Sequence, residues 1–252
     1  VVDPGVGITV FHARNVRFID DADLRISEDY LRILRFFRFY AWFGDPDQGI
    51  DADGFAACAA NLDGLEGLAK ERVRTELLKT LLAPNPAPAM ASMAMCGALG
   101  RLLAGADVSA LAPLIHLQEQ LGRPAHLHTR LAAINPGDVT SQLRLSKADT
   151  LEFSRIRDGA LSVIDAAPLG YDLGADLAIE ALMLRAALSG GTVTKIDMDA
   201  AQFGGAQNYP VTAKDLMPTY AGPALGARLK QLETAWIASG FTMAKPDLLA
   251  LP

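Results

Sequence analysis

Apolar residues recur three and four positions apart along most of the chain, the spacing that gathers side chains on one face of an α-helix. The clearest case is EDYLRILRFFRFYAWFG at residues 28–44, where Leu31, Leu34 and Phe37 follow this period. Ser27 precedes the run and can cap its first turn. The pattern predicts one continuous helix that begins at about this serine.

Similar periods separated by Gly, Pro, Asn or Asp predict most of the remaining structure. Further helices are predicted at residues 54–61, 70–82, 89–103, 109–121, 127–134, 147–166, 173–188 and 222–239. Strand character is confined to residues 8–10 with 15–19, and to TVTKIDM at 192–198. We therefore predict an all-α fold of several helical domains, with at most a short β element at the N-terminal edge.

The charge balance narrows the possible partners. The formal net charge is -6 and the pI is about 5.2. Such a chain does not coat nucleic acid non-specifically, although a local basic patch can still bind phosphate. The longest uncharged run, residues 80–100, holds prolines 84, 86 and 88 and is not expected to enter a membrane.

Acids and arginines share one face of the first predicted helix. At 100° per residue, Glu28, Asp29, Arg32 and Arg35 fall within roughly a third of the circumference. The simplest interpretation is an ion pair between Asp29 and Arg32, which would stabilise the helix by about 0.2–0.5 kcal/mol.

A second interpretation follows from the hydrogen-bonding capacity of the same pair. A carboxylate accepts and a guanidinium only donates, while cytosine and adenine each present an amine donor beside a ring-nitrogen acceptor. Asp29 and Arg32 could therefore recognise C and A. Guanine and uracil present the opposite pattern and would be rejected.

Residues 16–44 closely resemble the neck region of bacterial class II tRNA nucleotidyltransferases and poly(A) polymerases, with its E-D-x-x-R-x-x-R pattern. That pattern stands here as Glu28, Asp29, Arg32 and Arg35. The resemblance implies that Asp29 and Arg32 recognise the base of an incoming CTP or ATP. It implies that Glu28 and Arg35 position the nucleotide or these two side chains.

A second segment resembles the same family. AKERVRTELLKTLLAP at residues 69–84 matches its E-R-I-x-x-E-L motif. The resemblance implies that Glu71, Arg72 and Glu76 brace the neck without taking part in the chemistry.

Residues 209–241 resemble the family's tail, whose helix opens with G-P-x-L-G. Lys214, Arg228 and Lys230 are candidates for contacts to the tRNA backbone, and a solvated basic face is the alternative. The implied organisation is a head–neck remnant at 1–26, a neck at 27–83, a helical body at 84–208 and a tRNA-binding tail at 209–252.

The chain departs from the family near its start. DPGVGITVF keeps Asp3, Pro4 and Gly7 of the D-P-x-G-G-x-x-D-L stretch, but Val10 stands where an acid is expected. Because of this departure, the loop near residue 10 is expected to differ in geometry from that of the family.

The family's chemistry resides in a head in which a D-x-D pair holds two Mg²⁺ ions. The D-x-D pairs at 21–23, 51–53 and 197–199 do not follow a Gly-rich strand turn, and we expect them to be solvated loop acids. The resemblance thus predicts that this chain is a fragment without the head. We expect the fragment to have no catalytic residues, no cofactor and no activity alone. The intact enzyme is expected to use Mg²⁺.

Three histidines lie close together in the sequence, at His116, His126 and His128. No cysteine or acid has metal-ligand spacing to them, so we predict core or surface histidines and no metal site.

The implied function is the neck, body and tail of a cytoplasmic CCA-adding tRNA nucleotidyltransferase, with tRNA, CTP and ATP as partners and no membrane. A poly(A) polymerase of the same family is the first alternative. A non-catalytic helical RNA-binding module is the alternative from another class.

Overall fold

The computed structural model describes residues 2–3, 8–10, 14–135, 137, 139–217 and 219–252, with side chains from residue 14 onward. Pro4 and Gly7 of the predicted N-terminal motif, and the side chain of Val10, lie outside this description.

Helices dominate the described residues, which confirms the predicted all-α class. They are α1 (Ala22–Glu28), α2 (Leu31–Phe43), α3 (Ala52–Ala60), a 3₁₀ helix (Leu62–Gly67), α4 (Lys70–Leu81), α5 (Ala87–Met95), α6 (Ala98–Leu102), α7 (Leu111–Gln120), α8 (Leu127–Ile134), α9 (Thr140–Leu143), α10 (Lys147–Leu161), α11 (Ala166–Leu173), α12 (Ala175–Ser189), α13 (Lys195–Gly205), α14 (Ala213–Leu216), α15 (Gly222–Ala238) and α16 (Lys245–Leu249). None of the helices in the described ranges is both long and apolar enough to cross a lipid bilayer.

The predicted β element at the N-terminal edge is a small antiparallel sheet. Its strands are β1 (Val2–Asp3), β2 (Ile8–Val10) and β3 (Val16–Phe18), in spatial order β1-β2-β3. Strand β3 joins the sheet to the helices, because Phe18 stacks on Phe36 of α2 with ring centroids 5.1 Å apart.

The predicted continuous helix from Ser27 is wrong: it is two helices that break at Asp29. Asp21 caps α1 by accepting from Leu24 N at 3.0 Å, and Asp29 has extended backbone angles of φ -157° and ψ 105°. Ser27 therefore lies inside α1, where its hydroxyl donates to Leu24 O at 2.8 Å. The apolar period continues across the break, which is why it does not reveal the interruption.

Two other predicted helices are also divided. The predicted helix 89–103 is interrupted at Gly97, whose φ of 88° is favoured by glycine, giving α5 and α6. The predicted helix 147–166 ends at Leu161, and α11 begins at Ala166.

The ambiguous strand at residues 192–198 is instead the start of α13. Thr194 and Asp197 form a capping box, in which Thr194 N donates to Asp197 Oδ2 at 2.8 Å. This cap outweighs the local β propensity of the preceding residues.

The chain divides into two compact units, residues 1–162 with 180–193 and residues 163–179 with 194–252. In the first unit α2 packs on α4 and α5, and its Phe36 and Phe37 are fully buried. In the second unit α11 packs on α13, and Trp236 lies among Tyr171, Tyr209 and Phe241. The predicted four-part domain organisation stays a prediction.

Candidate nucleotide-recognition site

Asp29 lies at the break between α1 and α2, where its carboxylate has two donors. Oδ1 accepts from Leu31 N at 3.1 Å, and Oδ2 accepts from Arg72 Nη2 of α4 at 2.9 Å. The side chain retains 27% exposure. A carboxylate offers about four acceptor positions, so Asp29 is oriented and can still accept further hydrogen bonds.

Arg32 lies one turn further on and is held by the end of α1. Its Nη1 donates both to Glu28 Oε2 and to the Arg25 carbonyl oxygen. Among the described residues, Nε and Nη2 of Arg32 have no acceptor, and Nε is buried. Three of the five guanidinium donors thus stand without a protein partner in this part of the chain.

Glu28 joins the two arginines. Arg25 Nη1 lies 3.1 Å from Glu28 Oε2, which Arg32 also contacts. The hydrogen bond from Arg32, and then the nearby charge of Arg25, hold the pKa of the Glu28 carboxyl below its ordinary value. Glu28 is therefore ionised at neutral pH and fixes the Arg32 guanidinium.

The expected ion pair between Asp29 and Arg32 is not formed. Because the helix breaks at Asp29, Glu28 and Asp29 do not continue the polar face of α2. The Arg32 N–H donates instead to the Asp29 carbonyl at 2.9 Å, while the side chains pair with Glu28 and Arg72.

Helix α4 contacts its surroundings through the acids and the arginine that were predicted to brace the neck. Glu76 is 5% exposed and lies 2.6 Å from Arg38 Nε and 3.5 Å from Arg35 Nε. Glu71, five residues earlier in the same helix, pairs with Arg144 at 2.6 Å. Arg72 reaches Asp29, a contact that the sequence pattern did not identify.

The three candidate tRNA-binding cations lie in different environments. Lys214 and Lys230 are exposed. Arg228 is only 8% exposed, and its guanidinium donates to the Leu251 and Pro252 carbonyl oxygens and to Gln231 Oε1. Arg228 thus has acceptors inside the second unit, and its expected contact to the tRNA backbone stays a prediction.

The D-x-D pairs begin helices and do not lie in loops as expected. Asp21 caps α1, Asp51 caps α3 by accepting from Gly54 N at 2.9 Å, and Asp197 belongs to the α13 capping box. Each pair thus has at least one carboxylate engaged in a cap.

The histidines do have an acidic neighbour, which was missed because it lies far along the chain. His126 and His128 at the start of α8 face Glu152 of α10, and each lies within 3.2 Å of its Oε1. Asp149 and Glu152 are one helical turn apart on α10, but their spacing in the sequence does not connect them with the two histidines.

Comparisons with known proteins agree with this architecture. A family model described as "Probable RNA and SrmB- binding site of polymerase A" matches residues 49–108. The human mitochondrial CCA tRNA nucleotidyltransferase 1 is 46% identical over 69 residues, which is 27% of this chain and 16% of that protein. The multifunctional CCA protein of Halorhodospira halophila is 34% identical over 109 residues, 42% of this chain and 26% of that protein.

Solved structures share the fold over nearly the whole chain. The Bacillus stearothermophilus CCA-adding enzyme in complex with CTP has a TM-score of 0.65 at 21% identity, covering 90% of this chain and 62% of that one. The Thermotoga maritima CCA-adding enzyme complexed with tRNA has a TM-score of 0.62 at 16% identity, covering 94% of this chain and 63% of that one. The chain thus spans less than two thirds of each of these proteins.

In fold, the chain is similar to about three fifths of each of these two CCA-adding enzymes. In sequence, the similarity to CCA tRNA nucleotidyltransferases extends over part of the chain, and residues 49–108 match the family model.

Proposed function

We propose that this chain is the neck, body and tail of a CCA-adding tRNA nucleotidyltransferase, which selects CTP and ATP and holds the tRNA acceptor end. The observation that supports this most directly is its 46% identity over 69 residues to a CCA tRNA nucleotidyltransferase. The shared fold with a CCA-adding enzyme solved with CTP agrees with it.

The base is recognised by Asp29 and Arg32. Asp29, oriented by Arg72 and Leu31 N, accepts from the exocyclic amine of cytosine or adenine. Arg32, fixed by Glu28, donates to the ring nitrogen through the N–H groups that have no acceptor among the described residues. Guanine and uracil would place a carbonyl oxygen against the Asp29 carboxylate and an N–H against the Arg32 guanidinium. Neither contact forms a hydrogen bond, so these groups would lose their hydration without compensation.

The remaining neck residues act through these two. Arg35 and Arg38 of α2 form ion pairs with Glu76 of α4. These pairs hold α4 against α2 and thereby position Arg72, which lies on the same helix as Glu76. Lys214 and Lys230 offer exposed charges for tRNA phosphates in the second unit. Nucleotidyl transfer, its Mg²⁺ and a cytoplasmic location belong to the intact enzyme.

Addition of A alone is the second candidate, because the matching family model is named for polymerase A. Base recognition by Asp29 and Arg32 accepts adenine in both cases. The neck therefore does not separate the two activities.

Extension of tRNA that lacks its CCA end, by the full-length protein with each nucleotide separately and together, tests the proposal. Ordered addition of C, C and A is expected. Long A tails would assign poly(A) synthesis, and no incorporation by the intact protein would leave a helical RNA-binding module.

In the same assay Asp29→Ala should relax the preference for C and A. A variant that melts at a lower temperature but keeps this preference would refute the role of Asp29.

A further inference from the structure

Two histidines near the start of α8 and a glutamate of α10 bring three potential metal-binding atoms together. His126 Nε2 lies 3.2 Å from Glu152 Oε1, and His128 Nδ1 lies 3.0 Å from the same oxygen. One potential ligand atom from each of the three residues lies within 4.8 Å of the other two. Ligands held at about 2.1 Å from one tetrahedral ion are about 3.4 Å apart, so small side-chain adjustments suffice to bind one.

The outer nitrogen of each imidazole has its own hydrogen-bond partner. His128 Nε2 lies 3.2 Å from Asp149 Oδ1, and His126 Nδ1 lies 3.0 Å from Thr129 Oγ1. The Thr129 hydroxyl donates to buried Glu180 at 2.8 Å, so its oxygen is left to accept from His126 Nδ1. When the inner nitrogens bind an ion, these partners can accept the proton that each neutral ring carries on its outer nitrogen.

In that tautomer the inner nitrogens direct lone pairs at a carboxylate oxygen. One divalent cation satisfies all three atoms and leaves both imidazoles neutral. A carboxylate behind a ligating histidine, as Asp149 lies behind His128, is the usual support of such sites.

We propose that His126, His128 and Glu152 bind a divalent first-row transition ion, with Asp149 and the Thr129–Glu180 pair orienting the two imidazoles. Two imidazoles and one carboxylate suit Zn²⁺, and they leave a further position for water. The side chain of His128 is 11% exposed and that of Glu152 is 40% exposed, so the ion has a path from solvent. It would join the beginning of α8 to α10 within the first unit.

Titration calorimetry of the untagged chain with Zn²⁺ tests this proposal. One saturable site is expected, with a rise in melting temperature of roughly 5–10 °C when free Zn²⁺ is about 100 times Kd. Glu152→Gln and His126→Gln should weaken binding by at least about tenfold, and Asp149→Asn by about 10–100-fold. His116→Gln is the matched control, because His116 is exposed on α7 outside the cluster.

Binding by Glu152→Gln and His126→Gln as tight as that of His116→Gln would overturn the proposal, as would no saturable binding by the unaltered chain. Co²⁺ absorption of the unaltered chain tests the ligand set without a variant. Visible bands of a four- or five-coordinate ion are expected, and the weak spectrum of hydrated Co²⁺ would refute the site. Neither measurement uses tRNA or nucleotide, so failure here is distinct from failure of the proposed function.

Discussion

Arg72 Nη2 of α4 donates to Asp29 Oδ2 at 2.9 Å, across 43 positions of sequence. Asp29 lies where α1 ends and α2 has not begun, so its own helix does not fix its side chain. Arg72 and Leu31 N together set the direction of the carboxylate. The selectivity proposed for Asp29 therefore depends on a residue that need not touch the base.

Arg72→Ala should weaken discrimination for C and A without abolishing nucleotide addition. A charge-assisted hydrogen bond contributes about 1.5–3 kcal/mol, so we expect a loss of about tenfold or more in the ratio of kcat/KM for CTP over UTP. Full-length enzyme and tRNA lacking CCA provide the assay. Arg101→Ala is the control, because Arg101 pairs with exposed Asp63 and Glu66. Equal ratios for the two variants would contradict the orienting role.

Glu76→Ala should destabilise the first unit strongly. Glu76 is buried between Arg35 and Arg38, whose side chains are 24% and 19% exposed, and its removal leaves two cations without their acceptor. Breaking a buried ion pair costs about 3–5 kcal/mol. Urea unfolding measures this loss in the free energy of unfolding. Glu71 lies on the same helix but is exposed, so Glu71→Ala should have the same free energy of unfolding as the unaltered chain. A Glu76→Ala unfolding curve that coincides with the Glu71→Ala curve would refute a stabilising role of Glu76.

Asp215 should titrate well below an ordinary aspartate. Its Oδ1 lies 2.6 Å from Lys245 Nζ, and Thr212 N and Oγ1 both donate to Oδ2 at 2.8 Å. The hydrogen bond from Lys245, followed by those from Thr212, lowers the pKa from 3.8 to about 2. Because the folded pKa is depressed, the stabilisation is complete above 3.8 and is lost as the pH falls through about 2.

An NMR titration of side-chain carboxyl carbons would measure this pKa directly. Lys245→Met removes the largest cause and should move the Asp215 midpoint up towards 3.8. Asp215→Asn should flatten the fall of stability between about pH 4 and 2. An unchanged midpoint in Lys245→Met would show that Lys245 does not hold the carboxylate in solution.

The fold class and the apolar faces of the helices were predictable from periodicity alone. Helix α8 has the predicted bounds of 127–134, and Leu31, Leu34 and Phe37 are buried as their spacing indicates. A helical period reports which residues face the core. It does not report a break that leaves the apolar face in register, which is why the interruption at Asp29 was missed.

The site was less predictable, since its partners lie far apart in the chain. The pattern named Asp29, Arg32 and Arg72 but assigned no contact between Asp29 and Arg72. Glu152 lies 24 positions after His128, beyond any local ligand spacing. Such pairs depend on how α2 meets α4 and how α8 meets α10, which single-sequence periodicity does not specify.

A close contact between α11 and α13 provides a test of the packing in the second unit. Gly204 of α13 lies against α11, and a Cβ built on it would stand 1.8 Å from the Ala167 carbonyl oxygen. That oxygen belongs to the backbone and cannot rotate away, so Gly204→Ala must separate the two helices. Overpacking of this kind costs about 1–3 kcal/mol or more.

Gly226→Ala in α15 is the matched control, because its Cβ would meet open space. Replacing glycine by alanine in a helix there should stabilise by about 0.5–1 kcal/mol. Urea unfolding followed by Trp236 fluorescence in a Trp42→Phe background reports on this unit, since the chain has 2 tryptophans. Opposite shifts of the two midpoints are expected, and a Gly204→Ala chain as stable as its parent would mean that α11 and α13 do not pack this closely.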